Sequence, residues 1–159
     1  MINRDLIRRK IVQLTYAYYQ NGNRNMDNAE KELFFSLSKA YDLYNYQLQL
    51  IVEITKEARK RYDLEVTRVQ REGGDAPSQK FAFNRFAVQL EENKMLGEWI
   101  EAKNSSWDDD IEVVRRVYTA VVESDIYQEY MNAEEDSYDA DREVIRTTCA
   151  SSHALTERV

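Results

Sequence analysis

The stretch Leu37–Tyr62, LSKAYDLYNYQLQLIVEITKEARKRY, decides the fold. Within it Leu37, Tyr41, Tyr44, Leu48, Ile51, Thr55, Ala58 and Tyr62 recur at alternating steps of four and three. Such steps return to one face of a helix, whereas a half-buried strand would alternate every second residue. A spacing that averages about 3.5 residues is the period of a helix packed lengthwise against others. Going backwards, Asp27 offers an N-cap with Glu30 three residues later, as in a capping box. Going forwards, the helix is predicted to run from Met26 to about Gln70, where Gly73-Gly74-Asp75-Ala76-Pro77-Ser78 breaks it.

The flanking sequence reads in the same period. A first helix is expected from about Asn3 to Tyr19, with Ile7, Ile11, Leu14 and Tyr18 as its apolar stripe and Asn21-Gly22-Asn23 as its stop. A third is expected near Phe83–Lys103, ended by Asn104-Ser105-Ser106. Asp108-Asp109-Asp110 opens a fourth, its acids matched to the positive end of the helix dipole, with Ile111, Val114, Tyr118 and Val121 inward. Ser124-Asp125 caps a fifth with Ile126, Tyr127 and Tyr130 on its apolar face, and a short last helix spans Ala140–Arg146. The fold class is therefore all-α: a multi-helix bundle or array of five to six helices with one long second helix, the first packed across it. Residues 1–146 form the helical region, and residues 147–159, with little charge and no sustained period, are expected to be an irregular tail.

Composition sets the class. The chain has 159 residues, 43% hydrophobic and 32% charged, with one proline and four glycines; this is globular rather than disordered and is long enough for its own core. A single cysteine, Cys149, allows no intrachain disulfide and fits a reducing compartment. No run of about 18 apolar residues offers a membrane span, and Met1-Ile2-Asn3-Arg4 lacks the apolar segment of a signal peptide. A cytoplasmic location is expected.

The net charge of -7 argues against a general nucleic-acid coat. The charge is uneven, however. Arg4, Arg8, Arg9, Lys10 and Arg24 stand against Asp5 in the first 24 residues, while residues 107–143 hold thirteen acids against Arg115, Arg116 and Arg142. Because salt screens charges beyond about 8–10 Å, a basic end can act locally on an acidic body.

Two stretches carry a family resemblance. Arg8-Arg9-Lys10-Ile11-Val12-Gln13-Leu14-Thr15-Tyr16-Ala17-Tyr18-Tyr19-Gln20 resembles the opening helix of NusB-type transcription antitermination factors, a basic start followed by aromatics one turn apart. Leu37–Arg61 and Phe83–Met95, including Asn84-Arg85-Phe86 and Gln89-Leu90-Glu91-Glu92-Asn93-Lys94, resemble a longer variant of that family with an extended helical N-terminal region. The likeness covers about residues 1–146. It implies binding of a single-stranded antitermination signal in a ribosomal RNA leader, together with a NusE-type ribosomal protein and the RNA polymerase complex, and no catalysis. The family's RNA contact falls here on Arg4, Arg8, Arg9 and Lys10, with Tyr16 as neighbour. Nothing in the chain resembles the family's second helical half. A fragment, or a frame shifted near residue 146 that leaves a non-native tail, is the expected reason.

Each feature also has a plainer reading. Guanidinium groups stack on bases and grip phosphates in pairs, but a basic helix face also simply keeps a helix soluble. Of the eleven tyrosines, Tyr41, Tyr44 and Tyr62 lie in the long stripe and are expected inside or between helices, leaving Tyr16 and Tyr19 as stacking candidates. Asp108-Asp109-Asp110 and the acids from Glu134 to Asp141 lack the alternating ligands and central glycine of a calcium loop, so no metal is expected. Cys149 and His153 lack an orienting third group, and no glycine-rich phosphate loop follows a strand. No enzyme activity and no cofactor are expected. The alternative function is a protein–protein scaffold without RNA binding, for instance a homodimer joined through the long stripe.

Overall fold

The computed structural model describes residues 3–20, 22, 25–133 and 137–156, with side chains through Cys149. Arg24, the turn residues Asn21 and Asn23, and the acids at 134–136 lie outside the described residues, as does the His153 side chain. Among the described residues all regular secondary structure is helical: α1 (Arg4–Gln20), α2 (Met26–Glu72), α3 (Arg85–Glu91), α4 (Lys94–Lys103), α5 (Ile111–Val122), α6 (Asp125–Asn132) and α7 (Tyr138–Thr156). No helix among them is long and apolar enough to cross a membrane.

The helix ends follow local chemistry. Asn3 Oδ1 accepts the Asp5 N–H (3.2 Å), as an N-cap should. The cap of α2 is Asn25, whose Oδ1 accepts the Asn28 N–H at 3.2 Å, so Asp27 belongs to the first turn instead of preceding it. The stretch read as one helix over Phe83–Lys103 is two. Asn93 leaves the helical conformation (ψ 113) and its side chain accepts the Leu96 N–H at 3.1 Å, starting α4 afresh. Asn104 ends α4 in the left-handed region at φ 47, which asparagine tolerates. Ser124 caps α6 through the Tyr127 N–H.

The chain divides into two compact units, residues 1–46 and 47–159, with the boundary inside α2. The first unit is α1 and the opening part of α2. No residue of α1 is buried, and its stripe is only half covered. Tyr41 and Tyr44, expected in the interior, are 38% and 47% exposed, because the stripe there finds too few apolar neighbours.

The second unit has the core. Leu50, Ile51 and Ile54 of α2 are fully buried with Phe81, Val114, Val117 and Ile145. Thr55, on the stripe, is also buried, and its hydroxyl donates to the Val52 carbonyl at 2.9 Å, which removes the penalty of an unpaired buried oxygen. Tyr62 is half-buried and meets Phe83 edge-on at 5.6 Å. Helix α7 packs on α3, α5 and α6. Its Asp141 is buried and saturated: Oδ1 accepts the Tyr130 hydroxyl (2.6 Å) and Oδ2 the Arg85 Nε–H (2.6 Å), while its carbonyl accepts from Asn84 Nδ2 (3.0 Å). Asn84 Oδ1 in turn caps α3 through the Phe86 and Ala87 N–H groups.

The irregular tail expected from residue 147 is corrected by α7, which continues to Thr156. The reason is packing. Val144, Ile145 and Thr148 are buried on one face, and the Thr148 hydroxyl donates to the Val144 carbonyl at 2.8 Å. A helix anchored at i, i+1 and i+4 needs no charge pattern to persist.

Candidate nucleic-acid interface

α1 presents two faces. Residues at i, i+4, i+7 and i+11 fall together at 3.6 residues per turn, so Ile7, Ile11, Leu14 and Tyr18 share one side; Ile11, 45% exposed, Leu14 and Tyr18 line an apolar groove of about 440 Å³ with Met26 and Leu33 of α2. The same periodicity carries Arg8 or Arg9 to Val12 and Tyr16 on the other side and to Tyr19, which also borders the groove. These last three are exposed large side chains. Tyr19 is fixed edge-on against Tyr18 at 5.5 Å.

Arg4, Arg8, Arg9 and Tyr16 are all exposed. Arg8 reaches Asp5 at 3.9 Å with both side chains open to water, an ion pair of the kind that contributes little. Arg9 Nε donates to the Asp5 carbonyl at 3.4 Å, a long bond along its own helix. Neither guanidinium is covered by another helix. Lys10 is separated from them: it is half-buried and, one residue short of Ile11, flanks the apolar stripe instead of joining the Arg9–Tyr16 side. Of the five residues picked from the sequence, the helix therefore groups Arg4 with Arg8 and Arg9 with Tyr16, and sets Lys10 apart.

Val12 was missed. It is exposed between Arg8 and Tyr16, and the available signal was a second apolar stripe, Val12-Tyr16-Tyr19, running beside the first. The result is a basic and aromatic strip on one exposed side of a helix. It can hold phosphates by charge and flat rings by stacking, with the Asp5 carboxylate 3.9 Å from Arg8.

Burial pushes the Cys149 thiol up, away from the reactive thiolate. The hydrogen bond from Arg146 lowers the Glu143 carboxyl at the surface. Among the described residues no group of three or more His, Cys, Asp or Glu side chains is placed to hold a metal ion. No protein-family model, curated protein or solved structure matches this chain.

Proposed function

We propose that this chain is a NusB-like transcription antitermination factor that binds single-stranded leader RNA through the outer side of α1. The observation that carries the reading is the exposure of Arg4, Arg8, Arg9 and Tyr16 along α1. Its support is the resemblance of residues 8–20 and of the long-helix region to that family. Arginine suits the task because its planar fork grips phosphate oxygens and stacks on bases, and a neighbouring tyrosine adds a ring face. The N-terminal end of α1 adds a positive partial charge. On this reading the partners are an antitermination signal in a ribosomal RNA leader, a NusE-type ribosomal protein and the RNA polymerase complex, and the protein acts by assembly rather than by chemistry.

A fluorescence-anisotropy titration with leader-type RNA at low and moderate salt tests it. Affinity is expected to fall with salt at a slope of about 0.7 per phosphate neutralised. Arg8→Glu with Arg9→Glu should weaken binding at least about tenfold and flatten that slope. Unchanged binding by the double variant sinks the assignment.

A second reading, a scaffold that binds protein alone, is favoured by Phe34, Phe35, Leu43 and Tyr44, all exposed along the first part of α2. Light scattering that finds a homodimer, dissolved by Tyr44→Glu, together with no RNA binding, would put this reading first.

A further inference from the structure

The second unit carries a concave site, apart from α1, that the sequence did not bring out. It has a volume of about 270 Å³ and is walled by Arg61, Tyr62 and Glu65 of α2, Phe81, Tyr118 of α5 and Tyr127 of α6. Its walls are fixed. Phe81 and Tyr127 meet edge-to-face at 5.1 Å. The Arg61 guanidinium lies over the Tyr118 ring at 4.5 Å, held from behind by the buried carboxylate of Glu57 at 3.0 Å. These two contacts, one ring edge against a ring face and one guanidinium over a ring, border the site with aromatic and cationic surfaces.

The unusual feature is the pair of phenol hydroxyls. Tyr118 and Tyr127 are half-buried, yet neither hydroxyl has a hydrogen-bond partner among the described residues and neither is sealed from the pocket. A phenol is protonated at neutral pH and burial pushes both of these further up, so each is an O–H donor. A purely apolar occupant, such as a leucine or phenylalanine side chain, would leave both donors desolvated and unpaired, which is unfavourable. An anion would meet the Glu65 carboxylate on the wall, and Arg61, the cation that lines the pocket, is already engaged by Glu57. What remains is an uncharged flat ring that can stack on aromatic and guanidinium faces and that carries acceptors on its edge. Nucleobases have that character, and a space slightly under the range for drug-sized ligands suits one ring system.

We propose that this pocket binds the uncharged ring of a nucleobase, with Tyr118 and Tyr127 donating to its edge and Arg61 and Phe81 bordering its faces. The inference does not rest on the α1 reading. The base could arrive on a free nucleoside or in an unstacked position of a strand, and the experiment separates these.

Saturation-transfer NMR on the full chain with each of the four ribonucleosides is the test. Transfer is expected to the base protons more than to the ribose protons. Tyr118→Phe and Tyr127→Phe each remove one hydroxyl while keeping the ring packing, and each should weaken binding about two- to tenfold, the worth of one neutral hydrogen bond. A short single-stranded oligoribonucleotide that binds tighter than any nucleoside identifies the strand as the source, and equal affinity identifies the free nucleoside. Arg8→Glu with Arg9→Glu should leave the nucleoside signal unchanged, so loss of α1 binding and loss of this pocket are separately visible. Absence of transfer from all four nucleosides overturns the proposal. So does full binding by the Tyr118→Phe, Tyr127→Phe double variant, or competition by ribose 5-phosphate as strong as by a nucleoside.

Discussion

Residues 1–46 and residues 47–159 share one helix and one apolar stripe but use them differently. In the second unit the stripe residues Ile51, Thr55 and Ala58 are at most 4% exposed, whereas in the first Tyr41 and Tyr44 stand largely in water. The units also differ in charge: seven basic against five acidic side chains in the first, fifteen against twenty-four in the second. Periodicity therefore specifies which side of a helix is apolar. Whether that side is covered depends on the side chains packed against it, and in the second unit these positions are buried.

The comparison is sharpened most by core truncation. Ile54→Ala, at a fully buried position, should cost about 2–5 kcal/mol in urea unfolding, while Leu14→Ala on the half-covered stripe of α1 should cost well under half of that. Comparable losses would mean that the first unit has a core of its own. Amide hydrogen exchange gives the same contrast without mutation, with slow exchange expected at Leu50–Ala58 and fast exchange through α1.

An intermediate effect comes from pH. Burial, with Tyr118 nearby, pushes the Tyr127 phenol up to about 12. A group whose folded pKa lies above its unfolded value contributes stability that is complete below the unfolded value and is lost as pH rises through the folded one. Stability of the second unit should therefore decline above about pH 10 and fall through about pH 12. Tyrosinate absorbance during an alkaline titration should show this tyrosine ionising last or with unfolding, and Tyr127→Phe should blunt the decline. The smallest effect is expected from Ser124→Ala, which removes the side-chain cap of α6 and should cost about 1 kcal/mol; a loss several times larger would mean that Ser124 supports more than the helix end.

Much of the fold was legible because it is written locally. The start of α1, the end of α2 and the start of α6 follow from an asparagine, a glycine pair and a serine next to periodic apolar residues, whereas the cap of α2 was read at Asp27 instead of Asn25. The break at Asn93 was not, because Glu91, Glu92 and Lys94 all favour helix and only the side-chain bond to Leu96 N–H reveals the restart. The end of α7 was missed for a different reason: Thr148 is held by its neighbours in the core, and no sequence window contains them. The candidate interface followed the same rule. Basic residues on one short helix could be read in order, while the pocket of Tyr118 and Tyr127 is assembled from four separated segments and carries no motif.

Asp141 has one more consequence. Its carboxylate and carbonyl satisfy Arg85 and Asn84, residues made more than fifty positions earlier. During synthesis, at about 5–20 residues per second, the start of α3 must wait several seconds on the ribosome before its polar partners emerge. Nascent chains that stop short of that aspartate would hold the α2 core without its closing contact, and those are the lengths at which chaperones should engage this protein.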